Sequence, residues 1–483
     1  MTLTIVGLGP GEIDDLSRKA WRVLKEAKTV YLRTSQHNCV PCLPQTGAVY
    51  QSFDHLYETH DKFEDVYAAI VAQVLEAARL GDVVYAVPGD PLMGEFTVIQ
   101  LMQAAQAEGI TVEVVNGISF VEPTMALLGV DAMNGLQILD GIAVAAMHHP
   151  PINPDHPALL GQVYSTAVAS NVKLTLMNQY PDDFGVTLIH AAGTDNPIIE
   201  ALPLYEIDRS TNIRHTTALY VPALGGMSSF EQFQEIIAHL RAPEGCPWDR
   251  EQTHLSLRKY LLEETYEVLE ALDAEDPDAL AKEFGDLLLQ IVLHTQVAID
   301  DGEFNMTDIL RQINAKMIHR HPHVWGDTSV QGAADVLVNW DTLKKREQQA
   351  QGIKRESVLD GVPKGLPALM QAHEYQYKAA KVKFDWEKVD DVIAKVREEI
   401  DEVLTAETDA ERSEEIGDLL FVLVNWARWL KVEPETALRE ANAKFYRRFR
   451  HIEEQLTANG KSLADSNLAE MDALWNAAKE AGL

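Results

Sequence analysis

Apolar and polar positions fall into two regimes along this chain. In roughly the first 224 residues, short apolar runs alternate with amphipathic stretches. The strand-like runs are Leu3–Val6, Thr29–Leu32, Val83–Val87, Val112–Val115, Lys173–Met177 and Thr217–Val221. Helix-like stretches such as Ser17–Glu26 and Glu64–Arg79 lie between them, and Gly and Pro mark the turns. That alternation predicts an α/β domain. From Phe230 onward the period changes to three and four, as in Leu257–Leu272, Ala279–Ile299, Val389–Leu404 and Glu411–Leu430. This half is predicted to be all-α. The Gly225-Gly226-Met227 segment is the expected boundary, and the polar stretch Lys344–Leu359 is a second one. The expected domains are therefore 1–224, 228–350 and 360–483.

The helical half repeats itself. Glu263-Glu264-Thr265-Tyr266-Glu267 is followed by Glu283-Phe284-Gly285-Asp286. Glu398-Glu399-Ile400-Asp401-Glu402 is followed by Glu415-Ile416-Gly417-Asp418. Asn314-Ala315-Lys316 with Arg320 matches Asn442-Ala443-Lys444 with Arg448, and the order is the same in both copies. Residues three and four apart share a helix face. Glu264 and Glu267 therefore project together, as do Glu283 and Asp286. Packing the two helices against each other would bring four carboxylates to one place. Four carboxylates repel unless a cation lies between them, and oxygen-only sets favour Mg2+ or Mn2+. The same holds for Glu399, Glu402, Glu415 and Asp418. Glu263 and Glu398 sit one residue away from the ligand direction, where either could take a proton from water. Lys316 with Arg320, and Lys444 with Arg448, are spaced to meet phosphate oxygens. The plainer alternative is a solvated acidic helix face. Duplication of the motif with its spacing argues against it, as does the apolar stretch after each E-x-x-D.

Composition sharpens this picture. The chain has 483 residues and a net charge of −33. Such a surface disfavours nonspecific nucleic-acid binding, which needs basic patches. It also means that a nucleotide site would need metal ions and local cations to reverse the field. Three cysteines are too few for a disulfide framework, which fits a reducing compartment. No run of about eighteen apolar residues suggests a membrane span, and the N-terminal segment lacks signal-peptide features. The expectation is a cytoplasmic protein without membrane or nucleic-acid partners. Helical hairpins of this size bury little core alone, so a homodimer is expected.

In the first half, Gly7-Leu8-Gly9-Pro10-Gly11, Pro88-Gly89-Asp90-Pro91 and Asn116-Gly117-Ile118-Ser119 each follow an apolar strand. Loops at strand C-terminal ends are where α/β sheets bind ligands. Three ordinary turns would read the same way.

The helical motifs, with Cys246-Pro247-Trp248-Asp249, His319 to Asp327 and Phe384-Asp385-Trp386, resemble the MazG nucleotide pyrophosphohydrolases. That resemblance implies an all-α, Mg2+-binding fold that converts nucleoside triphosphates to monophosphate and pyrophosphate. It implies the metal ligands named above, Glu398 and Glu263 as water activators, and Trp475 with Lys479 beside the nucleotide. It also favours the second repeat as the catalytic one. Lys383 departs from the family pattern, which usually has Gly before Phe-Asp-Trp. The first half resembles the tetrapyrrole methylases through its V-G-L-G-P-G, P-G-D-P and N-G-I-S turns and His190-Ala191-Ala192-Gly193-Thr194. This implies an S-adenosylmethionine site near Leu8, Gly89, Asp90, Met93, Ser119 and Ala192, with a tetrapyrrole-like or other methyl acceptor. Two alternatives remain. The α/β half could be a cofactor-sensing or docking module that regulates the hydrolase, or the acidic sites could hold metal structurally.

Overall fold

The computed structural model describes residues 1–60, 62–350 and 356–483, so part of the polar stretch 344–359 lies outside the described residues. The chain forms two compact units, Met1–Glu251 and Gln252–Leu483.

The first unit holds two five-stranded sheets. In the first, β1 (Thr2–Gly7), β2 (Thr29–Leu32), β3 (Val49–Ser52), β4 (Val83–Val87) and β5 (Thr111–Val115) run parallel in the order β3-β2-β4-β1-β5. Parallel sheets need both faces covered, and the apolar runs supply this. Leu3 and Ile5 pack with Val66, Ile70 and Val74 of α2 (Phe63–Leu80) and with Val98 and Leu101 of α3 (Phe96–Ala107). Val6 and Leu8 pack on the other side with Ala20 and Leu24 of α1 (Arg18–Glu26), whose N-cap is Ser17.

The second sheet contains β6 (Gln137–Asp140), β7 (Ala158–Gly161), β8 (Gly185–His190), β9 (Ile198–Pro203) and β10 (Thr217–Val221), ordered β6-β7-β10-β8-β9. Only β6 and β7 are parallel. The expected strand Lys173–Met177 is instead the end of a helix, α4 (Thr166–Leu176). Its five residues alternate like a strand. The register that wins begins upstream, where the Ser165 side chain caps Val168 N–H and Ala169, Val172 and Leu176 bury one face. Helix α5 (Phe230–Arg241) belongs to this unit. The backbone amides of Ser228 and Ser229 donate to Asp155, and Ser229 caps the helix.

The second unit is helical: α6 (His254–Asp273), α7 (Pro277–Asp301), α8 (Met306–Arg320), α9 (Ala333–Ala350), α10 (Ala368–Lys381), α11 (Val389–Thr405), α12 (Asp409–Trp429), α13 (Pro434–Ala458) and α14 (Leu468–Glu480). Capping boxes at Thr253 and Thr408, and Asp276 followed by Pro277, start α6, α12 and α7. Helix α6 packs on α7 and α11 on α12, each pair joined by a short turn. The unit's buried apolar clusters are small, one being Val392, Val396 and Val422 with Leu419, Trp426 and Trp429 around them. No helix among the described residues is long and apolar enough to cross a membrane.

Candidate functional site

The spacing rule brings the acids together in both repeats. Carboxylate oxygens of Glu264, Glu267 and Glu283 lie within 4.8 Å of one another, as do those of Glu399, Glu402 and Glu415. In each set two acids come from the first helix of a packed pair and one from the second. Asp286 is close enough to act electrostatically on Glu264. Burial and then the neighbouring carboxylates raise the pKa of Glu264. Burial and the adjoining Glu283 carboxylate raise that of Glu267. Burial also raises Glu402, with Lys395 opposing and Glu399 adding to the rise.

Each cluster already contains an ammonium group. Lys282 reaches Glu283 at 2.9 Å and Asp286 at 3.8 Å, and its hydrogen bond lowers the Glu283 pKa. Lys395 reaches both Glu398 and Glu399 at 2.8 Å. One cation does not satisfy either set. Glu399 is only 4% exposed, and its Oε2 is buried without a hydrogen-bond partner. Glu283 Oε2 is likewise buried and unpartnered. A buried carboxylate oxygen without a donor is costly. An oxygen-seeking divalent cation is the group that this donor set fits.

The downstream basic residues are placed unequally. Arg320 is tied to Glu347 of α9 at 2.6 Å, with His319 on the same carboxylate, while Lys316 is exposed. Arg448 instead donates to the main-chain oxygen of Leu483 at 2.7 Å and lies 5.5 Å from the Trp475 ring centre. Phe445 packs on the same indole, while Lys444 and Lys479 are exposed. Lys383, at the end of α10, has φ +68°, the left-handed region that glycine favours.

In the first unit the glycine loops converge. The Gly9 N–H donates to Gly89 O and the Gly89 N–H to Gly9 O. A Cβ on Gly7 would stand 2.5 Å from Gly89 O, and one on Gly117 only 2.4 Å from it. Asp90 accepts from the Gly117 amide at 3.1 Å and from the Asn116 side chain at 3.2 Å. From the second sheet, Gly193 closes onto Pro10, where a Cβ would come within 2.4 Å of the ring. The loops frame a cleft of about 530 Å³ lined by Gly89, Asp90, Met93 and Ala192 among others. Leu8 and Ser119 are buried, Ser119 donating to Glu122. Glu95 and the aromatic wall of the cleft carried no motif signal, because their residues are scattered from 63 to 164. A shallower depression near Asn153 and Gly226 contains none of this chemistry.

Comparison with known proteins gives two family matches. Residues 252–325 match the MazG nucleotide pyrophosphohydrolase domain, and residues 2–208 match the tetrapyrrole (corrin/porphyrin) methylases. The YabN protein of Bacillus subtilis is 44% identical, covering 99% of this chain and 98% of its own length. The nucleoside triphosphate pyrophosphohydrolase of Escherichia coli K12 is 44% identical over 52% of this chain and 98% of its own. The nucleoside triphosphate pyrophosphohydrolase/pyrophosphatase MazG of Thermotoga maritima is 42% identical over 52% of this chain and 95% of its own. Among solved structures, uroporphyrin-III-C-methyltransferase from Thermus thermophilus covers 46% of this chain and 92% of its own at 20% identity, with a TM-score of 0.37.

Proposed function

We propose that this chain, which belongs to the family of tetrapyrrole methylase domains fused to MazG nucleotide pyrophosphohydrolase domains, hydrolyses nucleoside triphosphates to monophosphate and pyrophosphate with its helical unit. The observation that carries this reading is the pair of carboxylate clusters at matching register, each with a buried, unpartnered oxygen. Glu264, Glu267, Glu283 and Asp286 would hold Mg2+ or Mn2+ in the first repeat. Glu399, Glu402, Glu415 and Asp418 would do so in the second (360–483). Bound there, the ion neutralises phosphate oxygens and makes the phosphorus more electrophilic.

The chain's own groups do the rest. Glu398, or Glu263 in the first repeat, takes the proton of the attacking water. The water oxygen bonds to the α-phosphorus as the phosphoanhydride bond breaks, and pyrophosphate leaves with the electron pair. Lys444 and Arg448 bind phosphate oxygens, and Trp475 with Lys479 borders the base. Lys316 and Arg320 are their counterparts in the first repeat. A homodimer fits an apolar stripe left open at the same register in both repeats: Phe284, Leu288 and Ile291 on α7, and Ile416, Leu420 and Leu423 on α12. The first unit is read as an S-adenosylmethionine-dependent methyltransferase. Its donor site comprises Gly89, Asp90, Met93 and Ala192 in the cleft, with Leu8 and Ser119 behind it. Cytoplasmic location completes the reading.

The test is pyrophosphate release from a panel of ribo- and deoxynucleoside triphosphates, with Mg2+ and with chelator. Metal-dependent monophosphate formation supports the reading, and no release from any nucleotide overturns it.

A further inference from the structure

The cleft of the first unit has a second half that the donor reading leaves unexplained. Its only lysine or arginine among the described residues is Arg33, against three carboxylates, Asp90, Glu95 and Asp140. Arg33 is not free, since its Nε lies 3.1 Å from Glu95 Oε2. The Glu95 side chain is 6% exposed, and its Oε2 has no hydrogen-bond partner beyond this ion pair. Burial pushes the Glu95 pKa up to about 7, with Arg33 opposing the rise. Burial also lowers the pKa of His37, which favours its neutral form.

Beside this pair stands an aromatic wall. Phe63 and Tyr67 are stacked with ring centres 6.1 Å apart, and Tyr164 meets Phe63 edge-on at 6.4 Å. All three line the cleft, and Arg33 lies 6.0 Å from the Tyr67 ring centre. Phe63 is 50% exposed and Tyr164 37%, although apolar cores are available in the same unit. Stacking on such a wall suits a flat π-system, and the adjacent donor and acceptor suit the edge of a nitrogen heterocycle. A polycarboxylate macrocycle would meet net negative charge and one neutralised cation. It would also have to share about 530 Å³ with the methyl donor. A nucleic-acid strand would meet a chain of charge −33.

The geometry points to an acceptor subsite for a small, planar, uncharged nitrogen heterocycle of the nucleobase class, stacked on the exposed ring of Phe63 with Tyr164 against its edge, and read by the Arg33–Glu95 pair. This rests on the donor-site reading above. In the reaction, the acceptor's nitrogen lone pair bonds to the methyl carbon. The carbon–sulfur bond of the sulfonium breaks, and its electron pair stays on sulfur as the neutral thioether. The proton displaced from nitrogen passes to the Glu95 carboxylate.

The test is calorimetric binding to the full chain saturated with S-adenosylhomocysteine, with chelator present to silence the helical clusters. The probes are inosine, guanosine, uridine and a polycarboxylate porphyrin. The expected result is that at least one nucleoside binds and the porphyrin does not. Phe63→Ala and Tyr164→Ala should each weaken that nucleoside about 5- to 150-fold, the range for loss of one stacking partner. Glu95→Gln keeps the shape but exposes the Arg33 charge, so it should create binding of orotate, a carboxylated heterocycle. Porphyrin binding, no nucleoside binding, or nucleoside binding unchanged in both aromatic variants would each overturn the proposal. Failure of S-adenosylhomocysteine itself to bind would instead remove the donor-site reading and the subsite with it.

Discussion

Glu399→Gln is the substitution that most directly tests the acidic clusters. It keeps the shape of a side chain that is only 4% exposed and removes a charge facing Glu402 and Glu415. It should be made in a chain already carrying Glu264→Gln, so that the first cluster does not mask the result. A ligand that binds only the folded state stabilises it by about 2.7 kcal/mol when present at roughly 100 times its Kd. Loss of an outer-shell partner alone costs about 10- to 100-fold in metal affinity. Loss of a ligating carboxylate should cost about 100-fold or more. At the same Mg2+ concentration the remaining stabilisation is then roughly 0.4 kcal/mol. For a unit spanning residues 252–483, the missing 2.3 kcal/mol or so corresponds to about 5–9 °C in the Mg2+-induced rise of Tm. In chelator two effects oppose each other: the substitution relieves the unpartnered Oε2 and the facing carboxylates but breaks the Lys395–Glu399 ion pair, so the Mg2+-induced change and not the absolute Tm is the readout. The assay is thermal melting of both chains in Mg2+ and in chelator. An equal Mg2+ shift in both would refute the site.

Glu398→Gln, one residue away, should lower kcat by about 10²- to 10⁴-fold as the loss of a general base, with the Mg2+-induced Tm rise retained. Loss of that rise would make Glu398 a ligand instead. In metal-free protein the raised Glu402 pKa means the folded state binds a proton more tightly than the unfolded chain. That contribution stabilises as pH falls through the raised pKa and is lost again as pH climbs above it. Comparing Tm from pH 7 to pH 5 in chelator, wild type should gain relative to Glu402→Gln; parallel profiles would contradict the shift. Gly117→Ala places a methyl 2.4 Å from Gly89 O, so the converging loops must part. S-adenosylhomocysteine binding should fall at least tenfold by calorimetry while pyrophosphate release stays unchanged. Lys383→Gly relieves a left-handed non-glycine residue and should raise stability by about 1 kcal/mol in urea unfolding.

Some of this was legible in the residues and some was not, for local reasons. Val83–Val87 and Thr217–Val221 coincide with β4 and β10 because their apolar runs are bounded by turn residues on both sides. Gln137–Asp140 and Ala158–Gly161 are four-residue strands whose pairing partners are distant in sequence, so no short window reveals them. Lys173–Met177 misled because five residues carry too little pattern to separate period 2 from period 3.6. The acidic clusters were legible because helix geometry converts spacing directly into a shared face. The ties of Arg320 to Glu347 and of Arg33 to Glu95 were not, since both depend on which helix or strand end packs alongside.

Those ties bear on which repeat does the work. The two clusters match acid for acid, but their surroundings do not. Lys282, on the second helix of the first repeat, engages Glu283 and Asp286, two of the proposed ligands. The equivalent position in the second repeat is Glu414, and there the ammonium comes from Lys395 on the first helix. Lys395 leaves Glu415 and Asp418 free of itself and bridges Glu399 to the proposed base. Downstream, the Arg320 charge is cancelled by the Glu347 carboxylate, while Arg448 donates to the main-chain oxygen of Leu483 and lies beside the Trp475 ring. The cost of bringing a triphosphate to so acidic a chain falls on cations that no carboxylate neutralises. Glu347→Gln should therefore release Arg320 and improve the first repeat. In a chain whose second cluster is disabled by Glu399→Gln, it should lower KM for the triphosphate several-fold in a pyrophosphate-release assay. An unchanged KM would mean that Arg320 does not limit nucleotide binding, and the asymmetry between the repeats would then have to lie in Lys282 and the ligands it holds.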